Sequence, residues 1–134
     1  MEISRASGAA ALTLALLVLA VPSFAHHSFD VEFDKNNCKD FTGPLTKVDW
    51  QNPHPNFYVD VKDAGGNVTN WAFQMNATTV LKRVGLERQV FVENMGKELW
   101  VKGCLAKTGR QNYGVAMALK FSDGVLHPIN GLLE

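Results

Sequence analysis

The sequence has little of what would mark it as a nucleic-acid binder, a membrane protein or a familiar enzyme. Lysine and arginine together number 13, and so do aspartate and glutamate. The basic residues stand singly among acids, so no stripe exists to track phosphates, and a nucleic-acid partner is not expected. Only one long apolar run is present, Ala9 to Val21, and it falls short of the roughly 20 residues that a membrane helix takes. No membrane span is expected. No serine or cysteine nucleophile stands in a recognisable frame, the carboxylates are dispersed, and Cys-rich or His-x-x-x-His patterns of zinc enzymes are missing. The residues therefore assign no catalytic role. Internal repeats and low-complexity segments are also missing.

What is present begins with an export signal. Arg5 precedes the apolar run, and Pro22-Ser23-Phe24-Ala25 follows it, with small residues at Ser23 and Ala25 where a signal peptidase reads. The pattern predicts a signal peptide over 1–25, cleavage after Ala25, and a soluble periplasmic chain that starts at His26; the alternative is retention as an uncleaved anchor. Cys38 lies well beyond the cut and is no lipid acceptor. About 109 residues remain, which is one domain with a modest core. The expected division is an extended, partly packed arm over 26–39, carrying Asp30, Glu32 and Asp34, and a folded domain over 40–134.

The chain has only two cysteines, Cys38 and Cys104. In an exported protein they suggest a disulfide, which on the chain-entropy model constrains the unfolded state by about 4 kcal/mol. Two separate buried thiols are the alternative.

Alternating apolar residues predict five strands. The first runs Phe41 to Trp50, and its apolar phase shifts between Leu45 and Val48, which places a bulge or bend near Thr46-Lys47. Gln51-Asn52-Pro53-His54-Pro55 breaks it. Phe57, Val59 and Val61 mark a second strand, Asp63 to Asn67 a hairpin loop, and Trp71, Phe73 and Met75 a third strand. Asn76 is placed to cap a two-turn helix in which Val80, Leu81 and Val84 share a face and Gly85 ends the run. Leu99 to Leu105 and Val115 to Phe121 alternate as strands four and five, and His127-Pro128 begins a tail. This is the element order of an OB-like five-stranded Greek-key barrel, with one short helix between strands three and four. That fold pairs strands one and four, which brings Cys38 near Cys104. A small antiparallel sandwich has the same strand count.

Several segments together carry a likeness: His26-His27-Ser28-Phe29, Val48-Asp49-Trp50-Gln51-Asn52-Pro53-His54, Trp71-Ala72-Phe73, Leu81-Lys82-Arg83-Val84-Gly85, and Asp123-Gly124. With them the chain resembles a bacterial family of small exported proteins filed as a domain of unknown function. The likeness covers nearly all of the mature chain and implies no activity. The chain departs from that pattern at Gln74, where such proteins usually show Glu, and at Leu86, where they usually show Trp.

Cleavage at Ala25 gives His26 a free amine beside its own imidazole, and five ligand atoms of backbone and ring then close a chelate on one metal ion. Amine and imidazole nitrogens suit Cu(II), with a further imidazole from His27 or His54. The arrangement looks like the ligand set of copper proteins that grip the metal through an N-terminal His. The amine has a free pKa of ~8, so copper competes with protons there. A frayed, solvated His-His terminus is the competing reading. Asn52 and His54, held by Pro53 and Pro55, lie in the loop between strands one and two, which lines the binding face of OB-folds. Asn52 closing the turn and His54 bonding a carbonyl is the structural alternative.

The loop between strands four and five, with Arg110, Gln111, Asn112 and Tyr113, is expected on the same side. Asn52, His54, Arg110 and Tyr113 thus form a candidate pocket for a small polar ligand. Trp50, Trp71 and Trp100 read as packing residues rather than a stacking platform. Three functions are in view: a periplasmic binding module for Cu(II) or a small ligand, a docking domain for another envelope protein and, a distant third, a copper enzyme.

Overall fold

The computed structural model describes residues 29–130. The expected signal peptide and the two histidines at 26 and 27 lie outside these residues.

Among them, six strands and three short helices form: α1 (Phe29–Glu32), β1 (Phe33–Asp49), β2 (Asn56–Lys62), β3 (Val68–Gln74), α2 (Thr78–Arg83), α3 (Arg88–Glu93), β4 (Glu98–Ala106), β5 (Tyr113–Lys120) and β6 (Leu126–Pro128). The sheet order is β3-β2-β1-β4-β5-β6, and a further pairing of β3 with β5 closes the first five strands into a ring. Every pairing is antiparallel except β3 with β5, which run parallel from Ala72–Tyr113 to Gln74–Val115. No helix among the described residues is long and apolar enough to cross a membrane.

β1 is the strand that bends the sheet into a ring. Its C-terminal part pairs with β2 and its longer N-terminal part with β4. The register breaks between Leu45 and Lys47, where the apolar phase shift in the sequence predicts the bulge. The crossing is tight: a Cβ at Gly43 would overlap the carbonyl of Asp60 on β2, so only glycine lets the two backbones meet there. The ring encloses Leu45, Phe57, Val59, Phe73, Leu99, Val101 and Leu119, all fully buried. Each such side chain contributes about 1.5–3 kcal/mol of burial.

The sequence expectation needs five corrections. β1 starts at Phe33 rather than Phe41, so the expected arm is already sheet from Phe33 onward; its polar residues hide the strand because Asp34 to Asn37 bulge away between the Phe33–Ala106 and Cys38–Cys104 pairs. The expected tail at His127 is β6, too short at three residues for alternation to declare it. Residues 88–93 form α3, which buries only Phe91 and so lacks an apolar stripe. Asn76 does not cap α2, whose N-cap is Ala77; its side-chain oxygen accepts from Ala77 N and its nitrogen donates to Ile129 O. Of the face predicted for α2, Leu81 is buried while Val84 is exposed. Gly85 does end the run, at a positive φ of 76°, and Leu86 N donates back to Leu81 O at 3.0 Å.

Cys38 and Cys104 are bonded and stand directly opposite one another on β1 and β4. They belong to a second, smaller cluster with Phe33, Ala72, Tyr113 and Val115. Because Phe73 and Gly114 are neighbours in the strands and Phe73 lies in the main core, the alternate residues Ala72, Tyr113 and Val115 project from the outer face of the ring. Phe29 and Phe33 cover that face.

Candidate functional site

A recess of about 790 Å³ lies on this outer face. Three segments bound it. Phe29, Val31, Glu32 and Phe33 form one wall, Pro53 and His54 of the β1–β2 loop form another, and Thr108 represents the β4–β5 loop. Gln74, Met75 and Val115, at the parallel seam of β3 and β5, and Asn76 and Asn130 complete the lining.

The wall is built by few attachments. Phe33 pairs with Ala106, Lys107 N donates to Glu32 O at 2.8 Å, and Lys107 Nζ donates to the Asp30 carbonyl at 2.6 Å. The exposed Asp30–Lys35 ion pair at 2.6 Å adds little. Phe29 sits against Phe33 with ring centroids 5.6 Å apart, and Phe33 against Tyr113 at 5.8 Å. The disulfide anchors β1 to β4 just beyond the bulge.

The four expected ligand-site residues are thus divided. His54 is exposed on the rim of the large recess, and its imidazole has no hydrogen-bond partner among the described residues. Asn52 turns instead to α2, where its Oδ1 accepts from Thr78 Oγ1 at 2.7 Å, so it closes the loop. Arg110 and Tyr113 line a separate shallow recess with Trp71, Leu105, Gln111 and Asn112. Arg110 stacks its guanidinium 3.7 Å from the Tyr113 ring centre. The two loops do share a side of the ring, as expected, but the residue that joins His54 there is Thr108 rather than Arg110.

Tyr113 nonetheless reaches toward the large recess from beneath. Its hydroxyl donates to Gln74 Oε1 at 2.7 Å. Burial, and then the nearby Glu32 carboxylate, push its phenol above the usual tyrosine range, with Arg110 opposing them. Asn56, directly opposite Gln74 in the β2–β3 register, buries its Oδ1 without a partner among the described residues. Sequence reasoning missed Gln74, Asn130, Phe33 and Thr108 as lining residues. Gln74 was findable, because alternation with Phe73 puts it on the outer face of β3.

Trp50 and Trp71 pack against the main core, and Trp100 lies outside both clusters. Trp71 lies 4.7 Å from the Phe41 ring centre, Trp50 5.9 Å from that of Phe91, and Trp100 sits beneath Lys120 Nζ at 4.5 Å. No group of three His, Cys, Asp or Glu side chains able to hold a metal forms among the described residues, a set that does not include His26 and His27.

The model of a family described as Family of unknown function (DUF6152) matches residues 13–115. A comparison with curated proteins finds no match, and a comparison with solved structures finds none.

Proposed function

The chain belongs to the DUF6152 family, and for it we propose a non-catalytic periplasmic binding module of OB type that holds Cu(II) through His26, His27 and His54 after cleavage at Ala25. The ring order β1-β2-β3-β5-β4, with the helices α2 and α3 between β3 and β4, supports an OB-like barrel. In that fold the β1–β2 and β4–β5 loops flank the binding face.

One observation carries the metal reading. His54 stands on the rim of the same recess whose facing wall begins at Phe29. His26 precedes Phe29 by three residues, and an extended chain advances about 3.3–3.6 Å per residue, so the terminal amine has a reach of about 10 Å from that wall. The donor set also fits the ion. His54 offers an unengaged imidazole in a loop stiffened by Pro53 and Pro55, and nitrogen ligands of this kind suit Cu(II).

The test compares protein with a native His26 start and protein with one residue added ahead of it. Cu(II) titration followed by EPR is expected to give a defined nitrogen-rich spectrum for the first alone. Identical weak spectra from both end the proposal. His54→Ala is expected to weaken binding by about tenfold or more, the loss of roughly 1.4 kcal/mol. A second reading, docking onto an envelope protein, draws on Val31, which is 74% exposed on the N-terminal wall. Retention of a partner that survives deletion of residues 26–32 would count against it.

A further inference from the structure

The geometry points to a second kind of occupant in this recess: an uncharged organic molecule bearing a carboxamide on an apolar body, seated on Gln74 and Asn130. The inference goes beyond the copper reading, because neither residue belongs to the proposed metal set.

The Tyr113 phenol is buried. Tyr113 has one proton to donate and gives it to Gln74 Oε1. That bond fixes which way the Gln74 amide lies, so its carbonyl end is committed and its NH₂, with two protons, has no partner among the described residues. Asn130 is fixed in the opposite sense. Its Nδ2 donates to the Ala116 carbonyl at 2.8 Å, and its own side-chain carbonyl is left without a partner among the described residues. Both residues line the recess, and they are neighbours across the seam, since Gln74 pairs with Val115 while Asn130 bonds the next residue, Ala116.

An unpartnered donor on Gln74 and an unpartnered acceptor on Asn130 are together the complement of a carboxamide, which carries C=O and N–H on one flat group. Asn76, by contrast, already has a partner at each end of its side chain, Ala77 N at the oxygen and Ile129 O at the nitrogen. The rest of the lining sets the body of the ligand. Phe29, Phe33, Met75 and Val115 present apolar surface, and about 790 Å³ lies within the range of small-molecule sites. Charged ligands each lose a contact. A carboxylate brings no proton for Asn130 and meets the Glu32 carboxylate, while an ammonium brings no acceptor for Gln74 and keeps only its attraction to Glu32, which solvent at the open recess screens.

Three probes that share a benzyl body separate these cases: phenylacetamide, phenylacetate and phenethylamine. Each is titrated into the metal-free exported protein and followed by ¹⁵N–¹H NMR, so the outcome is readable whether or not the protein binds copper. Phenylacetamide is expected to give saturable shifts at the Gln74 side-chain NH₂, Met75 and Val115. The other two should bind about tenfold more weakly, the worth of one hydrogen bond. Gln74→Glu keeps an oxygen for Tyr113 but replaces the donor with a carboxylate, so it should move the preference to phenethylamine. Equal binding of all three probes, no shift at these residues, or an unchanged preference in Gln74→Glu overturns the proposal.

Discussion

Inside the ring, Leu45, Phe57, Phe73, Leu99 and Leu119 are covered by several strands at once, whereas outside it Phe33, Tyr113 and Val115 are covered by one short stretch of chain. The inner packing is redundant. Strand pairing around a closed circuit holds each residue, and losing one contact leaves the rest of the ring in place. The outer packing hangs on a bridge at Phe33, two hydrogen bonds from Lys107, and the disulfide beyond the bulge. The larger recess opens on the weakly tied side, so this fold places its candidate site where local opening costs least.

The comparison breaks first if the inner ring proves no more costly to disturb than the outer cover. Phe73→Ala, which empties the centre of the main core, is expected to lower unfolding free energy by about 3–5 kcal/mol in denaturant titrations. Replacing Cys38 and Cys104 together with alanine should cost about 3 kcal/mol, because measured disulfide contributions usually fall below the entropy model. Its effect should also be local. Hydrogen exchange is expected to rise most over 29–40, and equal acceleration throughout the ring would show that the two packings are one cooperative unit. Phe33→Ala comes next at about 2 kcal/mol, less than an inner phenylalanine because its site lies under a single chain segment that can close over the gap. Intact protection in β2 and β3 should accompany it.

The same contrast explains what the sequence disclosed. Alternation at Phe57-Val59-Val61 and Trp71-Phe73-Met75 reports residues buried on one face, and the ring interior is such a face. The phase shift after Leu45 located the bulge, because a one-residue slip flips every later side chain. The disulfide was legible from the two cysteines of an expected exported chain, and the expected pairing of strands one and four agreed with it. The outer cluster escaped for a physical reason: Ala72 and Tyr113 occupy positions that alternation assigns to solvent, Val115 was read in phase with Leu119 although a register break in the β4–β5 pairing puts the two on opposite faces, and Phe29 and Phe33 return over this face across a polar bulge at Asp34 to Asn37. No local pattern encodes that return. The presentation of His54 at the surface was legible from its two flanking prolines, and it stands exposed on the rim of the recess. Arg110 was assigned to the same pocket by loop membership alone, and it stacks instead on the Tyr113 ring in the separate shallow recess.

The smallest expected effect separates covering from hydrogen bonding within the outer cluster. Tyr113→Phe keeps the ring beneath Phe33 and Arg110 but leaves Gln74 Oε1 without its donor, a loss of about 1 kcal/mol near neutral pH. Alkaline pH adds an independent readout. The folded state holds the phenol proton more tightly than the unfolded chain does, so its contribution is complete below the unfolded tyrosine value of about 10 and is lost as pH rises through the higher folded value. Denaturant midpoints of the native protein should therefore fall on this alkaline limb more steeply than those of Tyr113→Phe. If the two curves run parallel above about pH 10, the phenol is as accessible as it is in the unfolded chain, and the outer cluster is a cover that opens before the ring unfolds.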